Sequence, residues 1–394
     1  MRGHAHTQDK VNVYTVAEWY TPSLSKQGTS FIMEKISICT VCMDRLFYLR
    51  ETLSANLIDN LDYPALEFVV LDYNSQDGLE NWIRSSMMQY IDSGLLKYFR
   101  TTEPKYFSQS HSKNLVSNLA SGDIICLLDA DVYAGKDYAR WVNGVFEEHG
   151  SNTIVTTIRS TYIPHRDLGG KLAFHKRCFT AVRGYDEAFN GYGFEDVDFA
   201  HRLELQGGNR VYIEEAEFLK YISHTHMERL YKDHLANTLE DIYVYDSDRK
   251  DSQLEVIYLS QDNTFQHVRF VFEPTLRSNQ YVTCDGWMIS REGWKKGTYQ
   301  HGPDAIYCAY GEEVVPYVKL DEDSMAVSAG APGFVWRRIA ADPDYYMHLI
   351  MLCTGCQNRL FFNESVRKRT LVNQAGWGKG TTYLNFASEA HRIG

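Results

Sequence analysis

The sequence predicts an α/β fold: a mostly parallel sheet with helices on both faces, then a smaller β-rich part and a short, partly helical tail. Three observations predict it. From Glu34 onward, short apolar strands alternate with amphipathic helices, the pattern that right-handed crossovers build into a parallel sheet. Residues 124–132 read Ile-Ile-Cys-Leu-Leu-Asp-Ala-Asp-Val, an apolar run closed by two carboxylates, as in a buried strand whose far end emerges into solvent. Beyond Tyr245 the pattern changes to short alternating runs between turn residues, which suits antiparallel strands.

Residues 1–34 carry no sustained periodicity and read as an extended lead-in. Ile36 and Ile38 begin a strand ending near Cys42, and Leu46, Leu49, Leu53 and Leu57 then recur at helical spacing. Residues 66–71 form a second strand, and a turn over 72–78 leads to a helix carrying Leu79, Trp82, Ile83 and Met87. Residues 96–99 give a third strand; a helix from about Ser108 turns Leu115 and Leu119 inward and stops at Gly122. After the central strand come a helix over 138–149, a strand over 154–158 and a mixed segment over 170–186. A glycine-rich loop over 189–194 opens a short helix that stops at Gly207-Gly208, and residues 211–214 and 218–224 read as strands.

A polar join over 246–252 marks a boundary, so the expected divisions are 1–34, 35–245, 246–340 and 341–394. In the third, residues 268–272, 281–284, 306–310 and 314–320 suit an antiparallel sheet or small barrel. There Trp287, Trp294 and Trp336 read as core, with a glycan platform as the alternative. This part is a candidate for acceptor recognition or for homo-oligomer formation. The tail reads as a helix over 345–353 followed by Arg367, Lys368 and Arg369 as a solvated face.

At 394 residues, 44% hydrophobic and 23% charged, the chain can bury a real core in two or three domains. Its formal net charge of -11 argues against nucleic acid or an anionic membrane as the main partner, because phosphate backbones are bound by clustered Lys and Arg. No run approaches the length of a membrane-spanning helix and the first residues lack the apolar core of a secretory signal, so the expected setting is cytoplasmic. Cys39 with Cys42, and Cys353 with Cys356, have the spacing of zinc ligands. The first pair begins inside a strand, where side chains diverge, so reduced thiols are the expectation.

Acids collect where strands end. Asp129 and Asp131 follow the central strand, and in open α/β sheets ligands bind beyond the strands' carboxyl ends, so this pair suggests a hard cation holding a phosphate. The plainer alternative is one capping and one solvated acid. Asp72 follows the second strand, where an Asx turn with Ser75 or Asn74 would also explain it. Glu195 and Asp196 open a helix, a position that unpaired amides and the macrodipole favour by themselves.

Taken together, these pieces resemble the GT-A glycosyltransferases, specifically the family-two group combined with a carboxyl-terminal galactosyltransferase motif. The resemblance covers about residues 35–230. It is carried by Val70-Leu71-Asp72-Tyr73-Asn74-Ser75-Gln76-Asp77-Gly78, by Lys113-Asn114 ahead of Ser121-Gly122-Asp123-Ile124, by Asp129-Ala130-Asp131, and by Gly184-Tyr185-Asp186-Glu187 leading to Glu195-Asp196-Val197-Asp198-Phe199.

The resemblance implies a Rossmann-like GT-A sheet and a nucleotide-sugar donor, a UDP sugar such as galactose, N-acetylgalactosamine or N-acetylglucosamine, with a glycan acceptor and a role in polysaccharide biosynthesis. It assigns Asp72 to the nucleotide base, although Tyr73 stands where the family has a second acid. Arg45, Lys113, Asn114 and Asp129 fall at positions that approach the nucleotide or its phosphates. Asp129 and Asp131 match the divalent-metal motif, with His224, His226 or both completing the coordination. Imidazole tilts the metal from magnesium toward manganese. The resemblance makes Asp196 the base that takes the acceptor's proton and Glu195 the holder of an acceptor hydroxyl, with inversion at the transferred sugar; Asp198 is next in register. Gly191 and Gly193 would let backbone approach sugar, and Tyr192 and Phe194 offer faces for a pyranose ring, or simply pack.

Two rival functions remain. A sugar-phosphate nucleotidyltransferase would want a glycine-rich basic loop after the first strand, where residues 40–45 contain no glycine. A non-catalytic glycan-binding protein would not need Asp129, Asp131 and Asp196.

Overall fold

A computed structural model describes residues 33–159, 166–246, 253–273, 286–303, 305–320, 326–327, 335–339, 343–366 and 372–394. Strands β1 (Ile36–Cys42), β2 (Leu66–Tyr73), β3 (Leu96–Thr101) and β4 (Ile124–Leu127) lie side by side in the order β3-β2-β1-β4, all parallel. Helices α1 (Leu46–Asn60), α2 (Leu79–Ser86), α3 (Met88–Asp92) and α4 (Gln109–Leu119) connect them. Successive strand residues point to opposite faces, so each strand feeds two cores. Phe68 and Val70 pack with Leu49, Leu53 and Ile83 on one face, while Val69 and Leu71 pack with Leu115, Val116 and Leu119 on the other. Helices therefore cover both faces, as expected.

Beyond β4 the sheet continues through β5 (Thr153–Thr156), β6 (Leu172–His175) and β7 (Asn209–Tyr212) in the order β4-β6-β5-β7, with β6 antiparallel to both neighbours. The mixed segment resolves into β6 and α6 (Lys176–Ala181), after α5 (Tyr138–His149). Then come α7 (Glu195–Leu205), α8 (His226–Leu230) and α9 (His234–Thr238). The strand expected over 218–224 is absent. Its place is taken by a 3-10 turn, Ala216–Phe218, and one isolated bridge between Val132 and Tyr221, because this segment pairs with the loop after β4 rather than with the sheet.

Strands β8 (Leu239–Asp246), β9 (Gln253–Ser260), β10 (Thr264–Phe272), β11 (Trp287–His301), β12 (Ala305–Tyr310), β13 (Glu313–Leu320), β14 (Ala326–Val327) and β15 (Val335–Arg338) close into a barrel. Closure leaves no edge strand unpaired. The barrel starts at Leu239, so β8 occupies the end of the expected 35–245 division. Along β9, Ile257 and Leu259 join the barrel's own cluster with Phe265 and Tyr299, while Val256 and Tyr258 join the large core. Trp336 is buried in the barrel cluster, and Trp287 and Trp294 are half-buried against the large core, so none of the three stands free as a platform.

The tail does not stand apart. Helix α10 (Pro343–Val366) is longer than the expected 345–353, and β16 (Gly380–Leu384) and β17 (Ala390–Ile393) return to the main sheet, antiparallel on the edge of β3. The expected strand over 281–284, the residues Arg367, Lys368 and Arg369, and the lead-in before Met33 lie outside the described residues. The described cysteines are free thiols. Cys39 and Cys42 face opposite cores, as their strand spacing required. Among the described residues no helix is long and apolar enough to cross a membrane.

Candidate active site

The chain leaves β4 at Leu127 and turns sharply, with the Val132 amide donating to the Asp129 carbonyl at 3.0 Å. Helix α1 fixes this turn from below: the Thr52 hydroxyl donates to the Ala130 carbonyl at 2.6 Å, and Asn56 accepts from the Ala134 amide at 2.6 Å. From the other side the Ile222 amide donates to the Asp131 carbonyl at 2.9 Å. Asp131 and the segment leading to His224 are thereby tied together. His224 Nδ1 lies 3.3 Å from Asp131 Oδ2, buried and without a hydrogen-bond partner.

Across the cavity, Gly191, Gly193 and Phe194 all take positive φ, and the chain swings directly into α7. Its first two residues, Glu195 and Asp196, are both buried. Helix α4 delivers Lys113 between them, its ammonium donating to Asp196 Oδ1 at 2.7 Å and Glu195 Oε1 at 3.0 Å. One cavity is lined by Arg45, Lys113, Asp129, Asp131, Glu195, Asp196 and His224. Seven of the ten residues that sequence reasoning proposed thus share a single space.

Electrostatics there are dominated by crowded acids. Burial, together with Asp129, pushes the Asp131 carboxyl up to about 7. Burial also raises Asp129, against the pull of Lys113. Asp196 is pushed up to about 8 by burial, with Glu195 and Asp129 adding to the rise and Lys113 opposing it. Burial would lower the Lys113 ammonium, but Asp196 and Glu195 outweigh it and the lysine stays charged. His224 is held down at about 4 by burial and then by the Arg229 and Arg45 guanidiniums, so its imidazole is neutral at ordinary pH.

These groups fit a divalent cation. A neutral imidazole nitrogen with no partner, set beside a buried carboxylate, is a donor pair suited to manganese. Among the described residues no three His, Cys, Asp or Glu side chains converge as a complete cage. Phosphate oxygens from a bound nucleotide would therefore have to supply ligands.

Three of the expected site residues do not line this cavity. Thr225 forms a capping box with Glu228, α8 starts at His226, and the His226 ring stacks on His348 at 6.1 Å. The i, i+2 relationship of a strand does not hold where the strand is absent. Asp72 is fully buried, accepting from the Ser75 amide at 2.7 Å, as in the Asx-turn alternative, and from the Tyr98 hydroxyl at 2.6 Å. Asn114 also lies outside the cavity, its amide donating to the Tyr185 carbonyl and to Glu187 Oε1, each at 2.9 Å.

Other positions gain definition. Asp198 pairs with Arg202 at 2.8 Å, one turn along α7, and does not line the cavity. Arg45 reaches the Glu228 carbonyl and lies over the Tyr48 ring. Phe194 is buried against Phe362, and the Tyr192 ring carries the Arg229 guanidinium at 5.0 Å. Sequence reasoning missed Arg229, which bonds Tyr192 and Asp167 at the cavity wall, and Lys171, whose ammonium donates to the Tyr133, Ala134 and Phe218 carbonyls. Neither has a periodicity or spacing that marks it.

Residues 157–229 match a family described as the N-terminal domain of galactosyltransferase. The match spans less than a fifth of the chain, and it contains Glu195, Asp196, His224 and Arg229. Among solved structures, the chain is similar to the mannosyltransferase PcManGT from Pyrobaculum calidifontis, solved with GDP-Man and Mn2+ (19% identity, TM-score 0.40, covering 52% of this chain and 64% of that one). It is also similar to S. aureus TarS 1-349 (17%, TM-score 0.39, 50% and 62%). A third is Drosophila β1,4-galactosyltransferase 7 with manganese, UDP-Gal and xylobiose (15%, TM-score 0.35, 51% and 75%). The first two alignments span less than two thirds of those chains. No curated protein matches.

Proposed function

We propose that this chain is a metal-dependent, inverting glycosyltransferase that moves a sugar from a nucleotide diphosphate, preferably UDP, to a hydroxyl of a glycan. The observation that carries the reading is the pairing, across one cavity, of Asp131 with His224 on one side and Lys113-held Asp196 and Glu195 on the other. The family match over 157–229 supports it independently.

Asp131 and His224 would hold the cation, with Asp129 behind them, and Arg45 adds positive charge at the same wall. A bound divalent cation would act as a Lewis acid, neutralising negative charge on the departing diphosphate. Asp196 accepts the proton of the acceptor hydroxyl as that oxygen bonds to the anomeric carbon and the bond to the diphosphate breaks on the opposite face. A sugar hydroxyl needs such a base because it is a weak nucleophile while protonated. Glu195 accepts a hydrogen bond from an acceptor hydroxyl, and Lys113 keeps both carboxylates in place.

A galactose, N-acetylgalactosamine or N-acetylglucosamine donor, a polysaccharide product and a cytoplasmic setting are the finer parts of this proposal. A panel of nucleotide sugars with Mn2+, scored for nucleotide diphosphate release with and without glycan acceptors, tests it. Release only with one donor and a glycan acceptor supports the reading; glycan binding without any release favours the binding protein.

A further inference from the structure

Helix α10 sits between the barrel and the loop that launches α7, and it presents a separate stripe to each. Toward the barrel, the Leu349 carbonyl accepts from the Tyr258 hydroxyl at 2.8 Å, and Gln357 Nε2 donates to Gln266 Oε1 at 2.9 Å. Toward the loop, Asn358 Nδ2 donates to the Asn190 carbonyl at 3.0 Å and the Gly193 carbonyl at 2.9 Å, with the Tyr192 carbonyl at 3.4 Å. Phe361 and Phe362 pack their rings on Phe189 and Phe194 at 5.0 and 6.1 Å. A Cβ on Gly191 would come within 2.7 Å of Thr354, so the loop lies hard against this face.

The loop's carbonyls point out of any regular ladder, because its residues alternate through left-handed backbone that no strand or helix uses. The buried Asn358 amide supplies donors to carbonyls of this part-buried loop that no regular ladder would satisfy. The hydrogen bonds of the Asn358 amide go to the loop carbonyls and not to Glu195 or Asp196. It fixes the backbone immediately before them, and one misplaced loop is enough to misplace both carboxylates.

We propose that Asn358 is a positioning residue for transfer, holding loop 190–193 so that Glu195 and Asp196 meet the acceptor, with α10 making the barrel a structural support of that half of the site. The kinetic part rests on the glycosyltransferase reading; the backbone part does not. The donor half, Asp131 with His224, is held by different contacts, so the two halves separate experimentally.

The test compares full-length wild type with Asn358→Leu, near in shape but without donors, and with Asn358→Gln, which keeps an amide one methylene further out. Amide exchange over 190–195 should quicken at least tenfold in Asn358→Leu, while exchange over 129–133 stays unchanged. Acceptor KM should rise and kcat fall at least tenfold, with UDP and Mn2+ affinity within twofold of wild type; Asn358→Gln should show the same split, smaller. Unchanged loop exchange overturns the proposal, and so does a parallel loss of transfer and UDP–Mn2+ binding. If Asn358→Leu does not fold, Asn358→Gln decides by the same criteria. If wild type transfers no sugar from any donor, the functional reading fails and the exchange result alone decides the positioning.

Discussion

The Lys113 ammonium lies 2.7 Å from Asp196 Oδ1, and both groups are buried in a cavity that also holds Glu195, Asp129 and Asp131. The lysine is therefore a counter-charge for Asp196 and Glu195. Lys113→Met leaves those carboxylates uncompensated. Breaking a buried pair in this way costs about 3–5 kcal/mol. The loss, read by denaturant unfolding, should be greater at pH 9 than at pH 5, because protonated carboxyls need no counter-ion.

Asp196 titrates near 8 in the fold, raised first by burial and then by its acidic neighbours. Its raised value means the folded state holds that proton more tightly than the unfolded chain. The contribution to stability is full below the ordinary aspartate value of 3.8 and is lost as pH rises through about 8. Activity runs the other way, since a base must be ionised: kcat/KM of the free enzyme should climb and level off above about pH 8. Asp196→Asn should flatten that limb and cut transfer by roughly 10²–10⁴-fold. UDP binding, followed by titration calorimetry, should survive.

The two histidines near the donor half should behave differently. Asp131→Ala and His224→Ala are expected to abolish Mn2+ binding or weaken it at least tenfold, measured by the spin-resonance signal of free Mn2+. His226→Ala should leave it within twofold, because that ring stacks on His348 outside the cavity. Equal losses at 224 and 226 would contradict the assignment.

Gly170 abuts the Asp129 carboxylate. A Cβ there would stand 2.4 Å from Oδ2 and 2.8 Å from Oδ1, so Gly170→Ala must push the whole carboxylate aside. Displacing a group that supports a metal ligand typically costs 10–100-fold in affinity, roughly, and that is the expected loss for Mn2+. Circular dichroism should show the fold intact.

Legibility in the sequence followed the range of the physical cause. Strand-then-helix alternation is local, so β1, α1, β2 and β4 fell where hydrophobic spacing put them. Acid placement at strand and helix ends is also local, and it led to Asp129, Asp131, Glu195 and Asp196. Spacing left open which of His224 and His226 lies near Asp131, because the strand expected over 218–224 is replaced by a bridge between Tyr221 and Val132 of the turn after β4. For Asp72 the local Asx turn with Ser75 was legible, whereas the Tyr98 hydroxyl that binds its other oxygen comes from 26 residues away.

By itself the sequence determined an α/β sheet with acids at its edge and a change to β structure near residue 245. Only the tertiary structure decided which groups meet. Lys113 finds Asp196 across 83 residues and Asn358 finds the Gly193 carbonyl across 165, and it is His224 that faces Asp131. The reason is physical: periodicity and capping act within a few residues, whereas a buried charge or amide takes whichever partner packing brings to it.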